Sequence, residues 1–422
     1  MKEQSKAGKH ERGRSECSHQ AESGEPPATL ATLTVHGGEQ RVKPYRALTT
    51  PIVQSSTFTF ESTAEIMRFV EERDAGGAPD RQEYGRYGNP TQRAAERKIA
   101  ALEGGARALL FSSGMNAITT TLLALLSRGD HLVVTDGCYS RTQQFVREFL
   151  PRWGIDATFL DSRDGTPLEA NLSKALRPNT RAIICETPTN PYLRVIDLSK
   201  VVEAARRHNL ITVIDSTFAT PINLRPLDHG LDLVIHSATK YLGGHNDLLA
   251  GAVIGPSDLI GQIQTARDVL GGVGSPHDAY LLLRGLKTLD LRVGRQNESA
   301  QRVAEHLEGH RAVSRVYYPG LRTHPDHEVA SRQMTGFGGV VSFDVDGDLE
   351  STGRFVDRLR LPYVGPTLGG VESVVRQQAL FASADPAERR KLGVADNLVR
   401  YAVGIEDVDD IIADLDQALA GS

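Results

Sequence analysis

The chain has 422 residues, of which 40% are hydrophobic and 24% charged, and its net charge is −5 at pH 7. This length exceeds what one hydrophobic core usually supports, so the sequence predicts two or three packed units. The weak negative charge and the scattered basic residues argue against nucleic acid as a partner. No apolar stretch is long and uninterrupted enough for a bilayer span, so we expect no membrane association.

The three cysteines are Cys17, Cys138 and Cys185, and none belongs to a CxxC pair. Such a sparse, odd set disfavours a disulfide framework and favours a reducing compartment. Residues 1–27 lack the apolar core of a signal peptide, and their glutamates argue against a transit peptide. The sequence therefore predicts a cytoplasmic protein without a metal site, and a disordered tail over 1–27, where little apolar surface is available to offset ordering entropy.

Residues 28–90 form a loop-rich pattern that predicts an N-terminal arm packed against something else. Its strand-like pieces are ATLTV (31–35) and PIVQSSTFTF (51–60). The regular region then begins with a helix predicted over Thr91–Leu102, where alanines recur at helical spacing.

From residue 108 onward, short apolar runs alternate with amphipathic segments. The predicted strands are 108–113, 131–136, 181–188, 211–217, 231–238 and 250–255, and the helices between them include 115–126 and 198–209. Continuous apolar strands separated by helices are typical of a mainly parallel sheet with βαβ crossovers. The sequence thus predicts an α/β fold with a large domain over 91–285.

The remaining residues predict a smaller α+β domain over 286–422. Helical periodicity runs from about 279 to 307. Strand patterns follow at 338–347 and 398–407, and a terminal helix is predicted over 410–419.

Notable polar residues fall where the predicted strands end. Asp215 follows one buried strand and Lys240 follows the next. Ligands of open α/β sheets bind beyond the carboxyl ends of the strands. Pyridoxal 5′-phosphate (PLP) chemistry needs a lysine for the covalent link and a carboxylate that keeps the pyridine nitrogen protonated. Taken singly, Asp215 could be a helix cap and Lys240 a solvated surface lysine.

A second set of residues could hold a phosphate. Ser113, Gly114 and Met115 open a predicted helix, where backbone N–H groups face an anion. Ser237 and Thr239 lie two apart and so on the same side of an extended strand. The alternative for the first group is an ordinary capped helix with a glycine entry.

Three further residues are candidates for the ring and the substrate. Tyr139 follows another strand and could stack on a pyridine ring and exchange a proton. Asn190, within ETPTNP, could be a turn residue instead. Arg400 could bind a carboxylate with two parallel hydrogen bonds, although it could also be a surface arginine on an edge strand.

Together these residues resemble the Cys/Met-metabolism family of PLP enzymes, which includes cystathionine γ-synthases, cystathionine γ-lyases and methionine γ-lyases. The resemblance covers the chain from about residue 33, and plant-type γ-synthases look most similar. The segments that carry it are LTVHGGE, YGRYGNPT, SSGM, ETPTNP, IDSTFATP, HSATKYLGGHND, YPGL, GFGG, LGGVES and LVRYAVGIED.

The resemblance implies a fold-type-I (aspartate-aminotransferase-like) PLP enzyme with the following roles. Lys240 would carry the cofactor and move protons, Asp215 would pair with the ring nitrogen, and Tyr139 would stack on the ring. The implied phosphate ligands are Ser113, Gly114, Met115, Ser237 and Thr239, joined by Tyr84 and Arg86 of a neighbouring subunit. The implied substrate residues are Arg400, Asn190, Glu372 and Thr367. Shared sites imply at least a dimer, and usually a homotetramer, with the N-terminal arm reaching the neighbour.

The sequence departs from the family pattern in substrate-facing parts. Arg46 stands where relatives usually have an aspartate, and Thr367 where they usually have a serine. RQQALFAS (376–383) replaces a proline-containing segment with the look of DQPAIMSY. Cys138 precedes Tyr139, whereas methionine γ-lyases usually have a cysteine two residues after that tyrosine, so methionine γ-lyase activity is disfavoured.

The resemblance implies γ-replacement on an activated homoserine, with a thiol such as cysteine as nucleophile, through a vinylglycine-type intermediate. Glu372 matches γ-synthases and γ-lyases and so disfavours β-lyase chemistry. The alternative is γ-elimination, or an unusual γ-substitution in specialised metabolism on another amino acid with a γ-leaving group, such as a vinylic halide that would yield an alkyne. A catalytically silent homologue with a binding role is a third hypothesis.

Overall fold

The computed structural model describes residues 28–75, 81–160 and 168–420, so the predicted tail 1–27 lies outside the described residues. The strands are β1 Arg107–Phe111, β2 His131–Thr135, β3 Asp156–Leu160, β4 Thr180–Glu186, β5 Ile211–Asp215, β6 Leu233–His236, β7 Gly251–Gly255, β8 Val313–Tyr317, β9 Val340–Val345, β10 Tyr363–Val364, β11 Val374–Gln377 and β12 Leu398–Ala402. The helices are α1 Leu30–His36, α2 Thr63–Asp74, α3 Pro90–Glu103, α4 Gly114–Leu125, α5 Ser140–Gln144, α6 Leu168–Ala175, α7 Leu198–His208, α8 Thr220–Asn223, α9 Ser257–Leu270, α10 Pro276–Leu286, α11 Leu289–Glu308, α12 His327–Gln333, α13 Leu349–Arg358, α14 Gln378–Ala382, α15 Pro386–Leu392 and α16 Val408–Leu419. No helix within the described ranges has the length and apolar character that a bilayer crossing requires.

A seven-stranded sheet has the order β1-β7-β6-β5-β4-β2-β3. The pairs from β6 to β3 are parallel, whereas β7 is antiparallel to both β1 and β6. The strands β2, β6 and β7 are buried along their whole length, as expected for a sheet covered on both faces. Because the parallel strands point the same way, the segments after β2, β4, β5 and β6 meet at one edge.

A second, five-stranded sheet has the order β10-β11-β12-β9-β8. Its pairs are antiparallel except β10 with β11. Helices α11 and α13 pack on this sheet, and α16 packs on both helices. The predicted α/β fold with a mostly parallel large sheet and a smaller α+β part is therefore confirmed, while the predicted domain boundaries stay predictions.

One hydrophobic core joins the two sheets. It contains Leu110 and Ile254 of the larger sheet, Leu282 of α10, and Phe343 and Tyr401 of the smaller sheet, each at most 1% exposed. Full burial of such a side chain stabilises the fold by about 1.5–3 kcal/mol. This shared core fixes the smaller sheet beside the carboxyl edge of the larger one.

The N-terminal arm differs from its prediction. The strand predicted at 31–35 is wrong, because this stretch lies in α1, where Thr29 caps the helix. The buried Lys98 amine donates to the carbonyl oxygens of Thr34 and Val35, at 2.9 Å each. These bonds satisfy carbonyls that the end of a helix leaves free. The strand predicted at 51–60 is also wrong, since its regular pairing is confined to one bridge between Thr57 and Tyr84.

Most other predicted elements agree with the structure within a few residues. The helix predicted over 91–102 is α3, which Asn89 caps and which ends at Gly104 in the left-handed region (φ 73°). The helical stretch at 279–307 is divided into α10 and α11 around Lys287 and Thr288.

Candidate active site

Asp215 lies at the carboxyl end of β5, and its carboxyl group is hydrogen-bonded by Thr217. Its Oδ1 accepts hydrogen bonds from the Thr217 backbone N–H (3.0 Å) and hydroxyl (2.6 Å). The same hydroxyl oxygen accepts from the Ser237 backbone N–H at 2.8 Å. Burial raises the pKa of Asp215, and the bonds from Thr217 oppose that rise. Thr217 therefore fixes the carboxylate of Asp215, at the end of β5, relative to Ser237, which follows β6.

Lys240 and Arg400 come from different sheets and meet at Thr367. The Lys240 amine donates to the Thr367 hydroxyl at 2.9 Å, and Arg400 Nη2 donates to the Thr367 carbonyl at 2.8 Å. Arg400 Nη1 also donates to Asn190 Oδ1 at 3.3 Å. Four of the residues predicted from the sequence thus form one contiguous cluster.

The charges in this cluster are strongly perturbed. Burial, followed by the positive charges of Arg400 and Arg376, lowers the pKa of Lys240 to about 8. Burial and the charge of Arg376 also lower the pKa of Arg400 to about 9. A lysine with such a pKa is partly neutral near physiological pH, which both nucleophilic attack and proton abstraction require.

Helix α4 begins directly against the end of β6. Ser113 caps the helix by accepting from the Asn116 backbone N–H at 3.1 Å, which leaves the N–H groups of Gly114 and Met115 without helical partners. A Cβ at Gly114 would lie 2.9 Å from the Cβ of Ser237. The close approach needs glycine, and it forms a cradle of backbone N–H groups and a serine hydroxyl that fits a phosphate.

Tyr139 lies at the N-terminus of α5 and is 44% exposed. Its backbone N–H donates to Oε2 of Glu186 at 2.6 Å. Glu186 is the last residue of β4, is 5% exposed, and lies opposite Asp215 in the sheet. The backbone N–H of Asn190 bonds the same carboxyl group, and burial followed by the charge of Asp215 raises its pKa.

Sequence reasoning missed Glu186. ETPTNP directed attention to Asn190, and a glutamate before a turn is ordinarily solvated. The available signal was its place at the end of a buried strand, in line with Asp215 on the next one. Its single carboxyl group ties together the segments that carry Tyr139 and Asn190.

Four other predicted residues make contacts outside this cluster. Glu372 Oε2 accepts from Asn246 Nδ2 at 2.9 Å, and the Thr239 hydroxyl donates to the Ala250 carbonyl at 3.2 Å. Arg86 donates to the Asp268 carbonyl, and its guanidinium lies 5.5 Å from the Tyr84 ring centre. Among the described residues, no hydrogen bond or ring contact joins Tyr84 or Arg86 to Lys240. Their predicted roles, which involve a neighbouring subunit, stay predictions.

The fold and this edge of the sheet place the chain in the class of fold-type-I PLP enzymes. A family model described as Cys/Met metabolism PLP-dependent enzyme matches residues 31–420. The chain belongs to this family, and PLP is its cofactor.

Individual relatives agree with this family. The chain is 49% identical to cystathionine gamma-synthase 1, chloroplastic, of Arabidopsis thaliana over 92% of its own length and 68% of the relative's. It is 40% identical to an L-methionine gamma-lyase of Fusobacterium nucleatum subsp. polymorphum, over 92% and 98% of the two chains. The solved structure of a cystathionine gamma synthase from Xanthomonas oryzae pv. oryzae in complex with aminoacrylate and cysteine is similar, with a TM-score of 0.86 and 39% identity over 94% of this chain and 98% of that one.

Proposed function

We propose that this chain catalyses γ-replacement on an activated homoserine-type amino acid, with a thiol such as cysteine as the nucleophile. The observation that carries the proposal is the cluster in which Thr367 joins the Lys240 amine to Arg400. It brings a lysine of lowered pKa next to a carboxylate-binding group, beside a phosphate cradle. The likeness to plant γ-synthases supports replacement as the outcome.

The site has residues that fit both the phosphate and the pyridine ring of the cofactor. The cradle at Gly114, Met115 and Ser237 would hold the phosphate, and Asp215 would keep the pyridine nitrogen protonated. Tyr139 would cover the ring. When bound, PLP supplies an electron-accepting ring joined to the amino group of the substrate.

The substrate is positioned by the smaller sheet. Arg400 binds the α-carboxylate through its guanidinium, and the Asn190 amide fixes the orientation of that guanidinium. With the carboxylate held there, the Cα proton faces the Lys240 amine, which takes it and later returns a proton to the substrate. Glu372, fixed by Asn246, lies at the exposed rim and contributes to the choice of γ-chemistry.

A product assay tests the reaction. The purified holoenzyme is incubated with O-acetyl-, O-succinyl- or O-phosphohomoserine, with and without cysteine, and products are identified by mass spectrometry. Cystathionine formed only with cysteine supports γ-replacement. A ketobutyrate product at the same rate with and without cysteine would assign γ-elimination, and no turnover of any ester would contradict the proposal.

We also propose a homotetramer in the cytoplasm whose active sites are shared between subunits. The two described cysteines, Cys138 and Cys185, are buried and unpaired, which suits a reducing compartment. Light scattering after gel filtration measures the assembly.

Mixing the variants Lys240→Ala and Arg86→Ala tests the shared site, because a hybrid restores one intact site if Arg86 serves the neighbour. Absence of any regained activity, with mixed oligomers verified by mass spectrometry, would contradict the shared site.

A further inference from the structure

Arg376 stands directly beside Arg400. The two residues are paired across the antiparallel strands β11 and β12. Directly opposed residues of such strands project from the same face, and like charges there are destabilising. The charges of Arg376 and Arg400 both act on the Lys240 amine, so the two arginines lie close to the lysine as well as to each other.

The groups around the two arginines in this structure are neutral. Arg376 Nε donates to Gln378 Oε1 at 2.7 Å, and its guanidinium lies 4.8 Å from the centre of the Phe381 ring. Arg400 bonds an amide and a carbonyl, and its Nε is buried without a hydrogen-bond partner. Over residues 28–75, 81–160 and 168–420, neither arginine forms an ion pair with a carboxylate. Arg400 is buried and Arg376 is half-buried. Cations that are removed from water are normally paired, because desolvation without a counter-charge is costly.

One anion does not balance the positive charges of the two arginines. The α-carboxylate of an amino acid fits Arg400, between Asn190 and Thr367, and accounts for one charge. The cofactor phosphate is assigned to the start of α4, which is built from other residues. Resting on the proposed function, we infer that Arg376 is a specificity-determining residue that binds a second anionic group, a carboxylate or phosphate, in addition to the α-carboxylate at Arg400.

The second anion can enter the pocket from two sources. It is either part of the γ-substituent of the first substrate or the carboxylate of the incoming thiol. Both present the same chemistry to a guanidinium, namely a planar or tetrahedral set of oxygens that accepts two hydrogen bonds. The experiment therefore separates the sources by changing one anion at a time.

The test compares the holoenzyme with the variants Arg376→Gln, Arg376→Lys and Arg354→Gln. Arg354 is an exposed arginine on α13, paired with Glu350, and serves as the matched control. For the first source, kcat/KM is measured without thiol for O-succinylhomoserine and for the neutral ester O-acetylhomoserine. For the second source, O-acetylhomoserine is combined with cysteine or with cysteamine, which differs from cysteine only in lacking the carboxylate.

A binding measurement keeps this inference separate from the proposed reaction. L-2-Aminoadipate and L-norleucine have the same chain length and lack a leaving group, and only the former carries a distal carboxylate. Their dissociation constants are measured from the change in cofactor absorption. If the wild type turned over no homoserine ester but still preferred aminoadipate through Arg376, the proposed function would fail and the inference would stand.

The expected result is a selective loss in Arg376→Gln. Its preference for the anionic member of one pair, either the two esters or the two thiols, falls at least about tenfold, which corresponds to about 1.4 kcal/mol. Arg376→Lys recovers part of that preference, and Arg354→Gln matches the wild type. An equal loss for charged and neutral members of both pairs, or no change in any preference, overturns the inference.

Discussion

The two sides of the site are organised differently. On the large sheet, Asp215, Thr217 and Ser237 are joined by hydrogen bonds, and Glu186 receives bonds from two backbone N–H groups. On the small sheet, Arg376 and Arg400 bond only neutral groups. The residues of the first side are held by hydrogen bonds to one another, whereas those of the second become balanced when anions bind. A cofactor that stays bound can be held by residues that hydrogen bonds already fix in place. A substrate that leaves after each turnover must itself supply the negative charge that stabilises the two arginines.

The largest effect is expected from the residue that joins the two sides. In the proposed mechanism Lys240→Ala would remove both the covalent attachment of PLP and the proton carrier, so kcat should fall by about 10⁴-fold. The absorption band of the lysine-bound cofactor should vanish as well. Lys174→Ala, on the exposed face of α6, is the control. A Lys240→Ala enzyme with wild-type colour would show that another amine carries the cofactor.

Arg400→Ala separates substrate binding from cofactor binding. Charge-assisted hydrogen bonds contribute about 1.5–3 kcal/mol, so kcat/KM should fall about 10- to 100-fold, mainly through a higher KM. The cofactor spectrum should stay unchanged, because the frame on the large sheet is untouched. Steady-state kinetics and absorption spectra check both parts. If the cofactor band were lost too, the two sides would not be independent.

Substitution of Glu186 tests whether the hydrogen bonds on the large-sheet side position Tyr139. Glu186→Ala leaves the backbone N–H groups of Tyr139 and Asn190 without their acceptor, at a cost of about 1–3 kcal/mol for each buried donor. We expect a lower Tm and a shifted cofactor band, because Tyr139 is released. Glu186→Gln keeps an acceptor oxygen of the same shape and should restore both the Tm and the band position. Identical behaviour of Ala and Gln would contradict a positioning role.

The smallest effect concerns the pH dependence of cofactor loading. PLP attaches only to a neutral amine, and burial with the two arginine charges lowers the pKa of Lys240 to about 8. Below this pH the amine is protonated, so the rate at which apoenzyme binds PLP should rise with pH, with a midpoint near 8. In Arg376→Gln the pKa of Lys240 should increase, and the midpoint should move to higher pH. Stopped-flow absorption measures both, and an unchanged midpoint would show that Arg376 does not act on this amine.

The sequence was informative where local pattern and tertiary structure agree. The buried runs that end at Asp215 and before Lys240 predicted the parallel sheet and its functional edge, since strand direction alone brings those ends together. The residues at 31–35 show the opposite case. Their alternating threonines favour a strand, but a threonine cap and the buried Lys98 amine make this stretch a helix. The bonds from Lys98, which is 64 and 63 residues away from Thr34 and Val35, leave no pattern in the stretch itself.

The site residues follow the same rule. Lys240, Asp215 and Gly114 could be proposed as site residues because their chemistry is specific and they stand at strand or helix ends. Arg376 drew attention only as part of the altered segment 376–383. The register that places it beside Arg400 depends on both strands and cannot be predicted from the sequence of either one. Glu186 was missed because its importance comes from burial and from the backbone groups of other segments.

Thr367 has a further consequence for how the enzyme senses its substrate. Its hydroxyl accepts a hydrogen bond from the Lys240 amine, and its carbonyl accepts one from the guanidinium of Arg400. A movement of Thr367 would therefore shift both the Lys240 amine and the Arg400 guanidinium. The position of the Lys240 amine and the occupation of Arg400 are thereby linked through a single residue.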